Sequence, residues 1–143
     1  MESIIPEVLE IEYSFQDQGG HNTLKLVEGR LFFFSEAHSR LSEKNEYLTM
    51  VSAPERDDWI LFWKSLNQAG VWDWEDDYRP EPGVTRDGNV WDVKIKRGNQ
   101  YVQTRAWCLE PETHNEFFLA LKNLAGVDVS LPYVYLSQKL SEI

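Results

Sequence analysis

Residues 90–107 read VWDVKIKRGNQYVQTRAW, and this stretch carries the clearest structural signal in the chain. Two runs rich in β-branched and aromatic side chains flank Gly98 and Asn99, a pair that favours a tight turn. The stretch therefore predicts a β-hairpin. A two-stranded hairpin is only marginally stable in water, so further strands or helices must cover it.

Further strands are predicted in the first fifty residues. Residues 9–15 alternate strictly between apolar and polar side chains, which is typical of a half-buried strand. Residues 23–27 and 30–34 predict two more strands around a tight bend, and residues 47–51 predict a fourth. The run of phenylalanine at 32–34 indicates a strand that is covered on both faces.

Two long helices are predicted, each with an apolar stripe on one face. The first begins near residue 53, after a capping-box pattern at 52–55, and ends at Gly70. The second opens at residues 110–113 and ends at Gly126. Spacings of three and four residues define the two stripes: Trp59, Phe62, Trp63, Leu66 and Ala69 in the first helix, and Phe117, Phe118, Leu121, Leu124 and Ala125 in the second.

Together these elements predict one α+β domain over residues 1–143. Its antiparallel sheet of about five to six strands has both helices on one face, and a short third helix follows over residues 133–143. Loops are predicted at 36–46 and 78–88. The two long helices each follow a strand pair and begin and end alike. A strand-strand-helix duplication explains this likeness, and so do the capping residues that helices commonly share.

The chain is strongly acidic, with 24 Asp and Glu residues against 14 Lys and Arg residues and a formal net charge of −10. Residues 1–82 contain 17 of the acidic and 7 of the basic residues, whereas residues 83–143 contain seven of each. This charge argues against binding to nucleic acid or to an anionic membrane, where basic residues must neutralise phosphates. A basic protein remains a suitable partner.

No motif for catalysis or cofactor binding stands out in the sequence. The three histidines lie in unrelated segments without the spacing of a metal site, and no glycine-rich loop opens a helix to hold a phosphate. Cys108 is the only cysteine, so an internal disulfide is excluded, and a small buried residue is its simplest interpretation. Residues 1–6 lack the pattern of a signal peptide. We therefore expect a cytoplasmic protein that is not an enzyme and holds no metal or cofactor.

The densest charge lies in the acidic segment, defined here as residues 72–78, which reads WDWEDDY. It interleaves four carboxylates with three aromatic rings: Trp72, Asp73, Trp74, Glu75, Asp76, Asp77 and Tyr78. One interpretation is a solvated turn that its rings anchor to the core. The other is a contact surface, where the carboxylates attract a basic partner and the rings offer faces on which Arg or Lys can stack.

The six tryptophans divide by their spacing. Positions on the helix stripe and on the hairpin assign four of them to the core: Trp59, Trp63, Trp91 and Trp107. Trp72 and Trp74 lie two residues apart and would point the same way in an extended segment. They either pack on the core as a short edge strand or form an exposed platform for a sugar or a peptide.

Three patterns occur in order along the chain: WxxFWxxL from Trp59, GVWxW from Gly70 and DGxxW from Asp87. Together with the helix that ends at Gly126, this order resembles a group of small uncharacterised bacterial proteins. The resemblance covers about half of the chain and implies an intracellular bacterial domain of unknown activity. It transfers no catalytic residue and no ligand.

The favoured hypothesis is a non-catalytic protein-interaction module of a bacterial cytoplasm, comparable to an immunity or anti-defence protein. Its binding surface is the acidic segment, and its partner is a basic protein. One alternative is a small-molecule or saccharide-binding domain that uses Trp72 and Trp74. A second alternative is a hydrolase that uses a pair of carboxylates.

Overall fold

Seven strands form one mixed sheet in a computed structural model of the chain, which describes residues 4–15, 20–38, 44–80 and 89–131. Those strands are β1 (Val8–Ser14), β2 (His21–Val27), β3 (Arg30–His38), β4 (Lys44–Ser52), β5 (Asp77–Tyr78), β6 (Val90–Arg97) and β7 (Gln100–Trp107). Their order across the sheet is β4-β3-β2-β1-β6-β7-β5. The described helices are α1 (Arg56–Gln68) and α2 (His114–Ala125), and a 3-10 turn (Val71–Asp73) follows α1.

The α+β class is confirmed, but the prediction of five to six antiparallel strands is wrong in detail. The seventh strand is β5, which has two residues and pairs parallel with β7. A strand this short shows no alternation, so the sequence pattern does not reveal it. The predicted loop at 36–46 is also shorter, because β3 and β4 stay paired as far as His38 and Lys44.

The strand β1 joins the two halves of the sheet. It pairs with β2 on one side, and on the other side it pairs with β6, which follows it by some eighty residues. The four-stranded meander and the C-terminal hairpin therefore share one sheet and one hydrophobic core. Pairs such as Leu9 with Ile95 and Ile11 with Val93 place their side chains on the same buried face.

Both helices cover that buried face, which we call the inner face. The predicted apolar stripes of α1 and α2 are confirmed as buried. Their rings meet side chains of the sheet, because Phe118 contacts both Tyr13 and Trp91 at centroid distances of 5.7 and 5.2 Å. Burying each large apolar side chain contributes roughly 1.5–3 kcal/mol, so these stripes hold the helices on the sheet.

The first helix begins later than predicted. It starts at Arg56, with Glu55 as its N-cap residue, and the Asp58 carboxylate accepts a hydrogen bond of 2.8 Å from the Glu55 backbone N–H. The predicted capping residue, Ser52, belongs to β4, and its hydroxyl donates to the Leu124 carbonyl at 2.9 Å. The capping function thus lies three residues further along than the sequence pattern indicated.

Two predictions of burial are wrong because of strand register. Trp91 pairs with Ala106 and faces the core, so Trp107 must point to the opposite face, where it is 36% exposed. Similarly, Phe33 is buried, whereas its neighbours Phe32 and Phe34 are only half-buried on the face turned away from the helices, which we call the outer face.

The chain after α2 is fixed to the sheet by one buried amide. Asn22 donates to the carbonyl oxygens of Val129 and Leu131 at 2.8 and 2.7 Å, and it accepts a hydrogen bond from the Ser35 hydroxyl. The predicted helix over residues 133–143 lies outside the described residues, as does most of the predicted loop at 78–88.

The order of two strands followed by a helix occurs twice, as β3-β4-α1 and β6-β7-α2. The duplication that would explain this order stays a prediction. Of the helices in the described part of the chain, none has both the length and the apolar character needed to cross a membrane.

Candidate functional site

The acidic segment follows α1 directly and leads to the edge of the sheet. Gly70 adopts the left-handed conformation that ends the helix, with a φ of 66°. The 3-10 turn comes next, and Val71 within it is fully buried. The segment then reaches β5 beside β7. Its start and its end are therefore both attached to regular structure.

Trp72 packs against α1. Its ring stacks on Trp63, with 6.1 Å between centroids and 28° between planes, and its indole N–H donates to the Asn67 side chain at 2.8 Å. The guanidinium carbon of Arg97 lies 4.7 Å from the centre of the Trp63 ring. This group therefore already contains one stacked guanidinium.

Trp74 packs at the junction of the two helices. Its ring contacts Trp91 and Phe117 at centroid distances of 5.8 and 5.2 Å, and its indole N–H donates to the Thr113 hydroxyl at 3.0 Å. Thr113 in turn donates to the Ala69 carbonyl at 2.6 Å. One hydroxyl thus connects the acidic segment, the end of α1 and the start of α2.

The two tryptophans do not form a common platform. The two rings would point the same way only in an extended segment, but residues 71–73 form a 3-10 turn. Trp72 and Trp74 consequently contact different groups, and each is partly buried against the core. This geometry agrees with the interpretation in which the rings anchor the segment.

The four carboxylates of the segment face solvent. Asp73, Glu75, Asp76 and Asp77 are all exposed, and Asp77 forms an ion pair with Arg79. The backbone beneath them is held in place: the Glu75 N–H donates to the Tyr78 hydroxyl at 3.0 Å. Two bonds to β7 complete this attachment, from the Thr104 hydroxyl to the Glu75 carbonyl and from the Arg105 N–H to the Asp76 carbonyl.

Sequence reasoning missed further carboxylates on the outer face of the sheet. Glu12 and Asp92 stand directly opposite each other on β1 and β6, and Asp92 is opposite Arg105, which is opposite Asp77. A row of charged side chains therefore crosses the outer face from β5, in the order Asp77, Arg105, Asp92 and Glu12. The alternation of residues 9–15 places Glu12 on the polar side of its strand, but nothing local in the sequence indicates that β1 pairs with β6.

Asp92 has a perturbed environment. Burial raises the pKa of its carboxyl group, the nearby Arg105 lowers it, and repulsion from Asp77 raises it. Together with Glu12 it lines an open hollow of about 280 Å³ on the outer face, whose other lining residues are Glu10, Val93, Lys94 and Gln103. The hollow brings together three carboxylates, those of Glu10, Glu12 and Asp92, and the ammonium group of Lys94.

His114, one of the three histidines, is held in structural contacts. Within the described residues, no group of three or more His, Cys, Asp or Glu side chains could hold a metal ion. The two ring nitrogens of His114 lie 2.7 Å from a Glu110 carboxylate oxygen and 2.8 Å from the Pro111 carbonyl oxygen. The other oxygen of Glu110 accepts from the Trp91 indole at 3.0 Å. His114 thus fixes the start of α2.

In comparisons with known proteins, no family model and no curated protein matches this chain. The resemblance to the group of small bacterial proteins therefore stays a prediction.

Proposed function

We propose that this protein is a non-catalytic interaction module that binds a basic partner protein through the acidic segment. The observation that carries the proposal is the contrast between backbone and side chains within that segment. Its backbone is hydrogen-bonded to β7 and its rings to both helices, whereas all four carboxylates are exposed. A surface held in place before binding loses little conformational entropy when a partner docks.

The charge distribution supports a basic partner. The net charge of −10 arises entirely in residues 1–82, which include the acidic segment. On the outer face of the sheet acidic and basic side chains stand opposite each other, as Asp92 and Arg105 do, so the negative charge is concentrated in the acidic segment. Such a field increases the rate at which a positively charged protein associates, and ions in solution screen it within about 10 Å at 0.1 M salt.

The aromatic rings add a second kind of contact. Arg97 already stacks on Trp63 in the group that includes Trp72. Trp72 is partly exposed and is followed by the exposed Asp73, so an arginine of the partner can form an ion pair and stack on the indole at the same time. By analogy with immunity and anti-defence proteins, we propose a bacterial cytoplasmic module that neutralises a basic protein.

Affinity capture tests this proposal. The immobilised protein is compared with the double variant Asp73→Asn, Glu75→Gln. The control is the double variant Asp57→Asn, Glu112→Gln, which also removes one aspartate and one glutamate charge, at exposed positions outside the acidic segment. We expect the wild type and the control to retain a basic protein that the Asp73 and Glu75 variant does not retain. High salt should release this protein from the wild type and from the control. Retention by all three proteins at high salt would contradict the proposal.

A carboxylate-dependent hydrolase is a second candidate, because the outer face holds the opposed pair Glu12 and Asp92. A hydrolase of this type uses one carboxyl group with a raised pKa as an acid and a second one as nucleophile or base. Turnover of a panel of aryl glycosides that the Asp92→Asn variant loses would support this candidate.

The saccharide-binding alternative receives less support, because Trp72 and Trp74 each pack one side against the core.

A further inference from the structure

A shallow groove runs between α1 and α2 on the solvent side of the helix pair. It consists of two adjoining hollows of about 140 and 300 Å³ that share Ser65, Ala120 and Asn123. Small side chains, including Ala69 and Ala120, line its floor, which allows another element to approach the helices closely. We call it the helix groove.

Two exposed leucines flank the helix groove. Leu61 on α1 is 60% exposed and Leu119 on α2 is 59% exposed, and neither belongs to the core that the helices share with the sheet. Single exposed leucines are ordinary on protein surfaces. Here each of two leucines on neighbouring helices lines one of the two adjoining hollows, so the groove offers a partner two apolar contacts.

The charged side chains that line the groove in the described residues are both acidic. Asp58 lies at the end formed by the start of α1, and Glu116 lies at the other end, beside Gln68. Asp58 and Gln68 are ten positions apart on α1, which corresponds to about 15 Å at 1.5 Å per residue. The groove thus has Ser65, Ala120 and Asn123 in its middle, a leucine beside each hollow and a negative charge at each end.

We propose that the helix groove binds an amphipathic, basic helix of a partner protein. The partner helix places apolar residues at positions i, i+3 or i+4, and i+7 between Leu61 and Leu119, and places Lys or Arg about ten residues apart opposite Asp58 and Glu116. This inference rests on the proposed function for the basic character of the partner.

The groove is continuous with the acidic segment. Thr113 lines the groove, and its hydroxyl accepts the hydrogen bond from Trp74. The Glu116 end of the groove and the acidic segment thus meet at Thr113. One basic partner can occupy the groove and contact the acidic segment together.

Fluorescence anisotropy of a labelled synthetic peptide tests the proposal. The peptide of about fifteen residues carries leucine at the stated spacings and lysine opposite each acidic end, and a scrambled peptide of the same composition has no apolar face. We expect saturable binding of the first peptide only. The variant Leu61→Ser, Leu119→Ser should weaken it at least tenfold, whereas Leu109→Ser, at a leucine that is 52% exposed outside the groove, should leave it unchanged.

Three results would overturn the inference. They are equal binding of the scrambled peptide, binding that is insensitive to the Leu61 and Leu119 substitutions, and a concentration-dependent dimer that those substitutions abolish, which would make a second copy of this chain the occupant. Far-UV circular dichroism confirms that each variant is folded.

The same experiment separates this inference from the proposed function. Repeating the capture with the Leu61 and Leu119 variant shows which surface holds the partner. If that variant retains the partner and the Asp73 and Glu75 variant loses it, the acidic segment acts alone and the groove inference fails. If the Leu61 and Leu119 variant loses the partner and the Asp73 and Glu75 variant retains it, the groove binds the partner and the function proposed for the acidic segment fails.

Discussion

Glu12 and Asp92 face each other directly across β1 and β6 on the outer face of the sheet. Like charges at directly opposed positions on neighbouring strands are unfavourable. Arg105 stands opposite Asp92 on β7, on the other side from Glu12, and its positive charge offsets part of this repulsion.

Replacing Asp92 with asparagine is expected to stabilise the free protein at pH 7. Because the pKa of Asp92 is raised by folding, its ionised form disfavours the folded state above that pKa, and the penalty disappears as the pH falls below the ordinary value. The main cause of the raised pKa is burial, and the carboxyl group is only partly buried, so the gain should be a few tenths of a kcal/mol and should vanish below about pH 4. Urea unfolding at both pH values measures it. A variant less stable than the wild type at pH 7 would show that attraction to Arg105 outweighs the cost of burial and the repulsion from Asp77.

Replacing Trp74 with phenylalanine is expected to destabilise the protein by about 1–2 kcal/mol, because the hydrogen bond to Thr113 and part of the packing on Trp91 and Phe117 are lost. The same exchange at the more exposed Trp107 should cost less than about 0.5 kcal/mol. Denaturant unfolding of both variants measures the difference. Equal losses would contradict the anchoring role of Trp74.

Replacing Asn22 with alanine is expected to cost about 2–4 kcal/mol. The change leaves the buried carbonyl oxygens of Val129 and Leu131 and the Ser35 hydroxyl without the amide that satisfies them. Asn115→Ala, on the exposed side of α2, is the control and should change the free energy of unfolding by less than about 0.5 kcal/mol. Thermal unfolding followed by circular dichroism provides the comparison, and a loss at Asn22 no larger than the control would disprove the tethering role.

The raised pKa of Tyr13 predicts that the protein loses stability at high pH. Burial raises the pKa of its hydroxyl, a hydrogen bond from Asn89 lowers it, and repulsion from Glu110 and Asp128 raises it. The folded protein therefore holds this proton more tightly than the unfolded chain, so stability falls as the pH rises above about 10. Tyr13→Phe should reduce that fall between about pH 9 and pH 11, whereas Tyr101→Phe, at an exposed site, should not. An unchanged pH dependence in Tyr13→Phe would contradict the expectation.

The sequence predicts those parts of the fold that depend on local patterns. The stripes of both helices, the alternation of β1 and the hairpin at 90–107 are all recognisable from residues within one element. Burial of Trp59 and of Phe117 follows directly from their spacing. In each case the spacing of the apolar residues matches the repeat of the backbone, which is about 3.6 residues in a helix and about two in a strand.

Features that depend on pairing between distant residues could not be predicted. Trp107 is an exception: it faces outward because Trp91 pairs with Ala106, and the two-residue turn at Gly98 and Asn99 already specifies that register. The opposition of Glu12 and Asp92 requires β1 to lie beside β6. The acidic segment itself is evident in the sequence, but the separate contacts of Trp72 and Trp74 depend on the 3-10 turn that divides them.

The affinity for the captured basic partner at two salt concentrations tests the central claim most directly. The Kd is measured for the wild type, for the Asp73→Asn, Glu75→Gln variant and for the Asp57→Asn, Glu112→Gln control. We predict that higher salt weakens binding by the wild type and the control alike, and that the Asp73 and Glu75 variant binds at least fivefold more weakly at low salt with a smaller salt effect. Identical Kd values for the three proteins, independent of salt, would contradict binding through the acidic segment.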